Sequence, residues 1–142
     1  WDNFKCNRMR WNGEAFVAII TLGKGKEESF QILLDGHWES TLYPDRMDAN
    51  PYAPHRILGP DKKGHGKNWT IGRSPSDAAA QGACYKVELA PDKHGKPGRV
   101  HWQRLGVGLD AAMQAEKVLV LQEARATGLR EEAAAAEKER LR

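Results

Sequence analysis

SFQILLDGHWESTLYP, residues 29–44, is the stretch that decides how the chain is read. Phe30, Ile32 and Leu34 alternate with other residues at the period of a strand, and Asp35-Gly36 follows. A two-residue type I′ turn needs positive φ at both central positions. Aspartate tolerates that conformation and glycine favours it, so the stretch predicts a hairpin. Trp38 then falls where the second strand restarts, just past a tight turn where most side chains face water. An aromatic of that size is either a binding platform or a strand residue that packs inward.

Working outward, residues 15–22 predict a strand with Phe16, Ala18, Ile20 and Leu22 on one face and Val17 and Ile19 on the other. Apolar residues on both faces predict a central position in a sheet. From 44 to 67 the chain carries Pro44, Pro51, Pro54 and Pro60 with glycines at 59, 64 and 66, which predicts a long loop rather than a helix. Strands return at 69–71, 84–89 and 99–103, the last two joined by a Pro- and Gly-containing connection. With no convincing helix before Leu105, the pattern predicts an all-β domain over residues 1–107, a sandwich of immunoglobulin-like type.

After Gly108 the period changes. Asp110 is placed to cap a helix, and Leu109, Met113, Val120, Leu121 and Ala124 recur at roughly helical spacing, so residues 108–142 predict a C-terminal α-helical extension. Thr127-Gly128 is expected to interrupt it, and an alanine-rich, charged segment follows from Leu129. Leu109, Met113, Val120 and Leu121 are expected to touch protein, either a partner or the face of the sandwich itself.

The 142 residues suit one domain, and the formal net charge of +3 is scattered among almost as many acids as bases. A scattered charge gives no nucleic-acid footprint, so no nucleic-acid partner is expected. The longest apolar run, Val118 to Leu121, is far below the roughly 20 residues that span a bilayer, so the chain is expected to be soluble or peripheral to a membrane complex. Cys6 and Cys84 are too few for a disulfide framework and have no C-x-x-C spacing, and two idle thiols are expected. His37, His55, His65, His94 and His101 never fall at the i, i+4 spacing of a helical metal pair, so neither metal nor cofactor is expected.

Catalytic patterns are missing as well. There is no G-x-S-x-G or H-E-x-x-H motif, and Gly64-His65-Gly66-Lys67 lacks the spacing of a phosphate loop. Asp35 is accounted for by its turn, and Asp45, Asp48 and Asp61 by loop solubility. A non-catalytic protein is expected. Aromatics say more: Tyr85 and Trp102 sit at core-like strand positions, whereas Phe4 and Trp38 do not. Flat aromatic faces at a surface can stack on sugar rings or anchor protein interfaces.

At this point the residues suggest a family. WDNFKCNRMRWNGEAFVAIITL followed by ESFQILLDGHW resembles the glycogen-binding domain of the AMP-activated protein kinase β subunit and, more broadly, carbohydrate-binding module family 48 within the early-set immunoglobulin-like sandwiches. Asp2-Asn3-Phe4, Phe16-Val17-Ala18-Ile19 and Leu33-Leu34-Asp35-Gly36-His37-Trp38 carry the match over residues 1–45, with Asn68-Trp69-Thr70-Ile71 matching loosely. The resemblance implies α-glucan binding, with sugar stacked on Phe4 and Trp38 and hydrogen-bonded by Gln31 and Asn68. Phenylalanine and glutamine replace the tryptophan and lysine of the family at two of these positions, which weakens that implication. The opening strands of the family are absent, and the longer layout resembles uncharacterised proteins of unicellular algae.

Two functions are therefore expected. The first is a non-catalytic module for α-glucan. The alternative is an accessory or docking subunit of a large multi-protein assembly, such as an algal photosynthetic complex, in which sandwich and helix bind other protein subunits rather than sugar. Cytoplasm and plastid both suit such a chain, and its start at Trp1 rather than Met suggests a processed product or an internal piece.

Overall fold

Aspartate and glycine at 35 and 36 make the expected turn. In the computed structural model, which describes residues 8–140, both have positive φ (55° and 72°), and Leu34 pairs directly with His37. The described chain runs through β1 (Arg10–Trp11), β2 (Phe16–Thr21), β3 (Glu28–Phe30), β4 (Ile32–Leu34), β5 (His37–Pro44), β6 (Ile57–Asp61), β7 (Trp69–Ile71), β8 (Ala83–Pro91), β9 (Pro97–Val107) and α1 (Leu109–Arg140). Three antiparallel sheets result, ordered β1-β2-β8-β9, β3-β7 and β4-β5-β6. An all-β body with a C-terminal helix is what the sequence predicts at this level.

β2 lies inside the largest sheet, between β1 and β8, and Val17, Ala18 and Ile19 at its centre are buried, whereas Phe16 at its start is 43% exposed. Toward one side Leu22 joins Tyr85, Val87, Leu89, Val100 and Trp102 in a core completed from the smaller sheets by Ile32, Leu42, Trp69 and Ile71. Toward the other side Val17, Ile19 and Cys84 pack against Leu119 of α1, with Ala111, Ala112 and Ala115 beside them. The central strand therefore carries apolar residues on both faces because it is sandwiched between sheets and helix. The free thiol of Cys84 is buried in this second cluster; Cys6 and Phe4 lie outside the described residues.

Four departures from the sequence reading have local causes. The predicted strand over 30–34 is broken at Gln31, where the chain leaves the β3-β7 sheet and enters the β4-β5-β6 sheet. The Pro-rich stretch holds β6, which tolerates Pro60 because it is the outer strand of its sheet and need donate on one side only. β9 begins at Pro97, earlier than its apolar pattern, at the edge of the largest sheet. α1 runs its 32 residues straight through Thr127-Gly128, and Asp110 lies inside its first turn rather than ahead of it, where a carboxylate favours the positive end of the helix dipole.

The helix survives a glycine that costs about 1 kcal/mol because it is anchored on both sides of it. Before Gly128, Glu123 is paired with Arg10 of β1 at 2.8 Å and Ala126 is buried. Beyond it, the guanidinium of Arg130 stands 5.5 Å from the centre of the Trp11 ring. No helix among the described residues is long and apolar enough to cross a membrane.

Candidate binding surfaces

Trp38 owes its position to an irregular hairpin. Leu33 pairs with Thr41 while Leu34 pairs with His37, so β5 carries three extra residues, 38 to 40, as a bulge. The hydroxyl of Thr41 donates to the Trp38 carbonyl at 2.7 Å and fixes the bulged backbone. The indole that results is 44% exposed. A strand residue in regular register would have faced the core or the solvent by parity alone; the bulge is what sets this one.

Gln31 and Asn68 each bond loop backbone. The Gln31 amide nitrogen donates to the carbonyls of Gly64 and Lys67, each at 2.6 Å, and so fastens the 62–67 loop to the junction of β3 and β4. Asn68 accepts from the Asp48 amide with its side chain at 3.3 Å and from Ala49 with its carbonyl at 3.0 Å. Both side chains hold loops. Trp38 lies in β5, on the bulge that follows the Leu34–His37 pair. Three of the four residues assigned to glucan are thus placed: Gln31 and Asn68 hold loops, and Trp38 stands on the bulge.

Loop carboxylates have structural partners of their own. Asp48 accepts from the Thr70 hydroxyl and from Arg73, both at 2.7 Å. Asp61 accepts from the Tyr43 hydroxyl at 2.7 Å and from the Lys63 amide at 2.8 Å. The Lys63 amide, with the Tyr43 hydroxyl second, holds the Asp61 carboxyl below its usual range. Among the described residues no group of three or more His, Cys, Asp or Glu could hold a metal ion.

Sequence reading passed over Asp77, the most deeply engaged acid. It ends a short 3₁₀ turn, Pro75–Asp77, capped by Ser74, and is 1% exposed. One carboxylate oxygen accepts from the Tyr52 hydroxyl at 2.6 Å and the Trp102 indole at 2.7 Å, the other from the Gly72 amide at 2.8 Å. Its carbonyl takes the Tyr85 hydroxyl at 2.6 Å. Burial, and then the bond to Asp77, push the Tyr52 hydroxyl well above its ordinary pKa. Ser-Pro-Ser-Asp is a recognisable helix start, but nothing local announces which aromatics will close on the carboxylate.

α1 presents two chemically different sides. Its inner side is built of small residues, Ala111, Ala112, Ala115 and Ala126, with Leu119, so the helix lies close against the sheet. The four residues expected to touch protein are all on the outside: Leu109 is 74% and Leu121 70% exposed, with Met113 and Val120 about half so. Beside them a shallow groove is lined by Ile19, Thr21, Leu109, Ala112, Met113, Glu116 and Lys117. Residues 131–140 of the helix are exposed along their whole length. No protein-family model, curated protein or solved structure matches this chain.

Proposed function

We propose that the chain is a non-catalytic docking module: a β-sheet scaffold, of immunoglobulin-like sandwich type, that holds α1 rigidly and offers its outer side to another protein surface. The observation that carries this reading is the placement of Leu109, Met113, Val120 and Leu121 in solvent along a helix whose inner side is already satisfied. Exposed apolar residues grouped on one element mark interaction sites more often than residues scattered singly. An accessory subunit of a larger assembly works in this way. Replacing Met113 and Leu121 together by glutamate should leave the thermal melt of the isolated chain unchanged and remove it from that assembly. Co-purification of the double variant at the parent level would count against docking through α1.

A second reading is favoured by one observation, the half-open indole of Trp38 on its bulge. Stacking on an α-glucan would use that ring, and the resemblance to family 48 modules supports it. Retention on amylose that disappears in Trp38→Ala would establish sugar binding; no retention of the parent chain would remove it.

A further inference from the structure

We infer that the outer edge of β9 is a second docking site, separate from α1, which takes an extended acidic segment of a partner protein as an added strand. β9 is the longest strand, 11 residues, and ends the β1-β2-β8-β9 sheet; among the described residues it pairs with β8 on one side and with no strand on the other. Such an edge leaves the N–H and C=O of every second residue pointing outward, a template for another chain. Other strands offer poorer templates: β1 has two residues, β3, β4 and β7 have three each, and β6 carries Pro60. Between its two register shifts against β8, β9 is regular from Arg99 to Arg104, which suits a partner strand of about six residues.

Charge specifies the occupant. β9 contains Arg99, His101 and Arg104 but no acid. Arg99 is exposed and, among the described residues, has no ion-pair partner. Arg104 is exposed too; it donates to the Ala78 carbonyl at 3.1 Å and meets no carboxylate among the described residues. Glu88, the acid opposite His101 on β8, is already engaged by Lys86 at 3.0 Å and by His101 at 3.2 Å. Arg99 and Arg104 are an odd number of positions apart, so they lie on opposite faces of the sheet. A partner strand with a carboxylate opposite each therefore gains a cross-strand pair on both faces. Edge-to-edge pairing with a second copy would gather arginines and supply no acid, which makes that copy the poorer occupant.

A short peptide of threonine and valine, eight residues long with glutamate at its second and seventh positions, is the probe; it presents the same spacing in either strand direction. Added to the full chain and followed by amide hydrogen exchange, it should slow alternate amides between 99 and 104, those facing away from β8. Arg99→Glu alters an exposed, unpaired side chain, so it should leave the melt unchanged and weaken peptide binding about tenfold. Glutamine in place of both peptide glutamates should weaken binding to the parent chain about tenfold as well. No binding at about millimolar peptide, or binding that protects no β9 amide, overturns the inference. Equal binding of the glutamate and glutamine peptides overturns the acidic occupant, and protection of the same amides by self-association without peptide would give the edge to a second copy. The M113E/L121E variant should bind the peptide as the parent does, so failure of docking through α1 and failure at the β9 edge are read separately.

Discussion

The indole N–H of Trp69 donates to Nε2 of His55 across 2.9 Å, while Nδ1 of the same imidazole meets the Ala53 carbonyl at 3.1 Å. The geometry requires the neutral ring with its proton on Nδ1, since only then can Nε2 accept. A completely buried tryptophan is thereby tied to the loop that crosses from β5 to β6. His55→Ala should cost about 1–3 kcal/mol, the usual consequence of stranding a buried donor, measured by urea unfolding. A loss below a few tenths would mean that water replaces the imidazole.

Asp77 should be the most sensitive polar position. Asp77→Ala strands the donors of Tyr52, Trp102 and Gly72 at once, and an unfolding loss of about 3 kcal/mol or more is expected. Tyr52→Phe, which removes one donor and leaves the carboxylate two, should cost about 0.5–1.5 kcal/mol. Equal effects of the two substitutions would show that the network does not act as described.

The expected pH dependence comes from His101. Desolvation lowers its pKa from the ordinary 6.5, against an opposing pull from Glu88 and aided by Arg99 and Lys86. Nδ1 is buried with no hydrogen-bond partner among the described residues, and Nε2 stands 3.2 Å from Glu88. A histidine harder to protonate when folded than when unfolded stabilises the fold fully above pH 6.5, and that contribution is lost as pH falls below it. Melting temperature should therefore decline on acidification from about pH 7 to pH 5, and His101→Gln should flatten the decline. A second loss near pH 4 belongs to Asp61 and Asp45, whose carboxyls are held low. An unchanged slope in the variant would assign the first loss to another group.

Gly64 and Gln31 secure one loop by different means. A Cβ added at Gly64 would lie 2.5 Å from Cδ1 of Tyr43, so Gly64→Ala should destabilise by about 1–3 kcal/mol through overpacking. Gln31→Ala leaves the ring packing intact and removes the two 2.6 Å bonds, so faster amide exchange or proteolysis confined to 62–67 is expected. Protection unchanged in Gln31→Ala would show that Tyr43 alone holds the loop.

Much of this architecture was legible because its signals are local. The turn at Asp35-Gly36 follows from φ preference, and the central position of β2 from apolar residues on both faces. β6 was hidden because an outer strand can carry Gly59 and Pro60, which read as loop. The continuity of α1 through Gly128 was hidden because its anchors, Arg10 and Trp11, are more than a hundred residues away in sequence. The same limit applies to the candidate surfaces. Exposure of Leu109 and Leu121 follows from helical spacing once the alanines are assigned inward, whereas the commitment of Gln31 to Gly64 and Lys67 is a long-range contact.

The central claim is that α1 works by its outer side, and site-specific photo-crosslinking from position 121 tests it most directly. With the reactive side chain at 121 of the intact chain in its native assembly, a protein adduct should form, absent when the same group is placed at the exposed Lys93 in the β8–β9 turn. An adduct of twice the chain mass would identify a second copy, and any other protein mass a different subunit. No adduct at 121 would contradict the account.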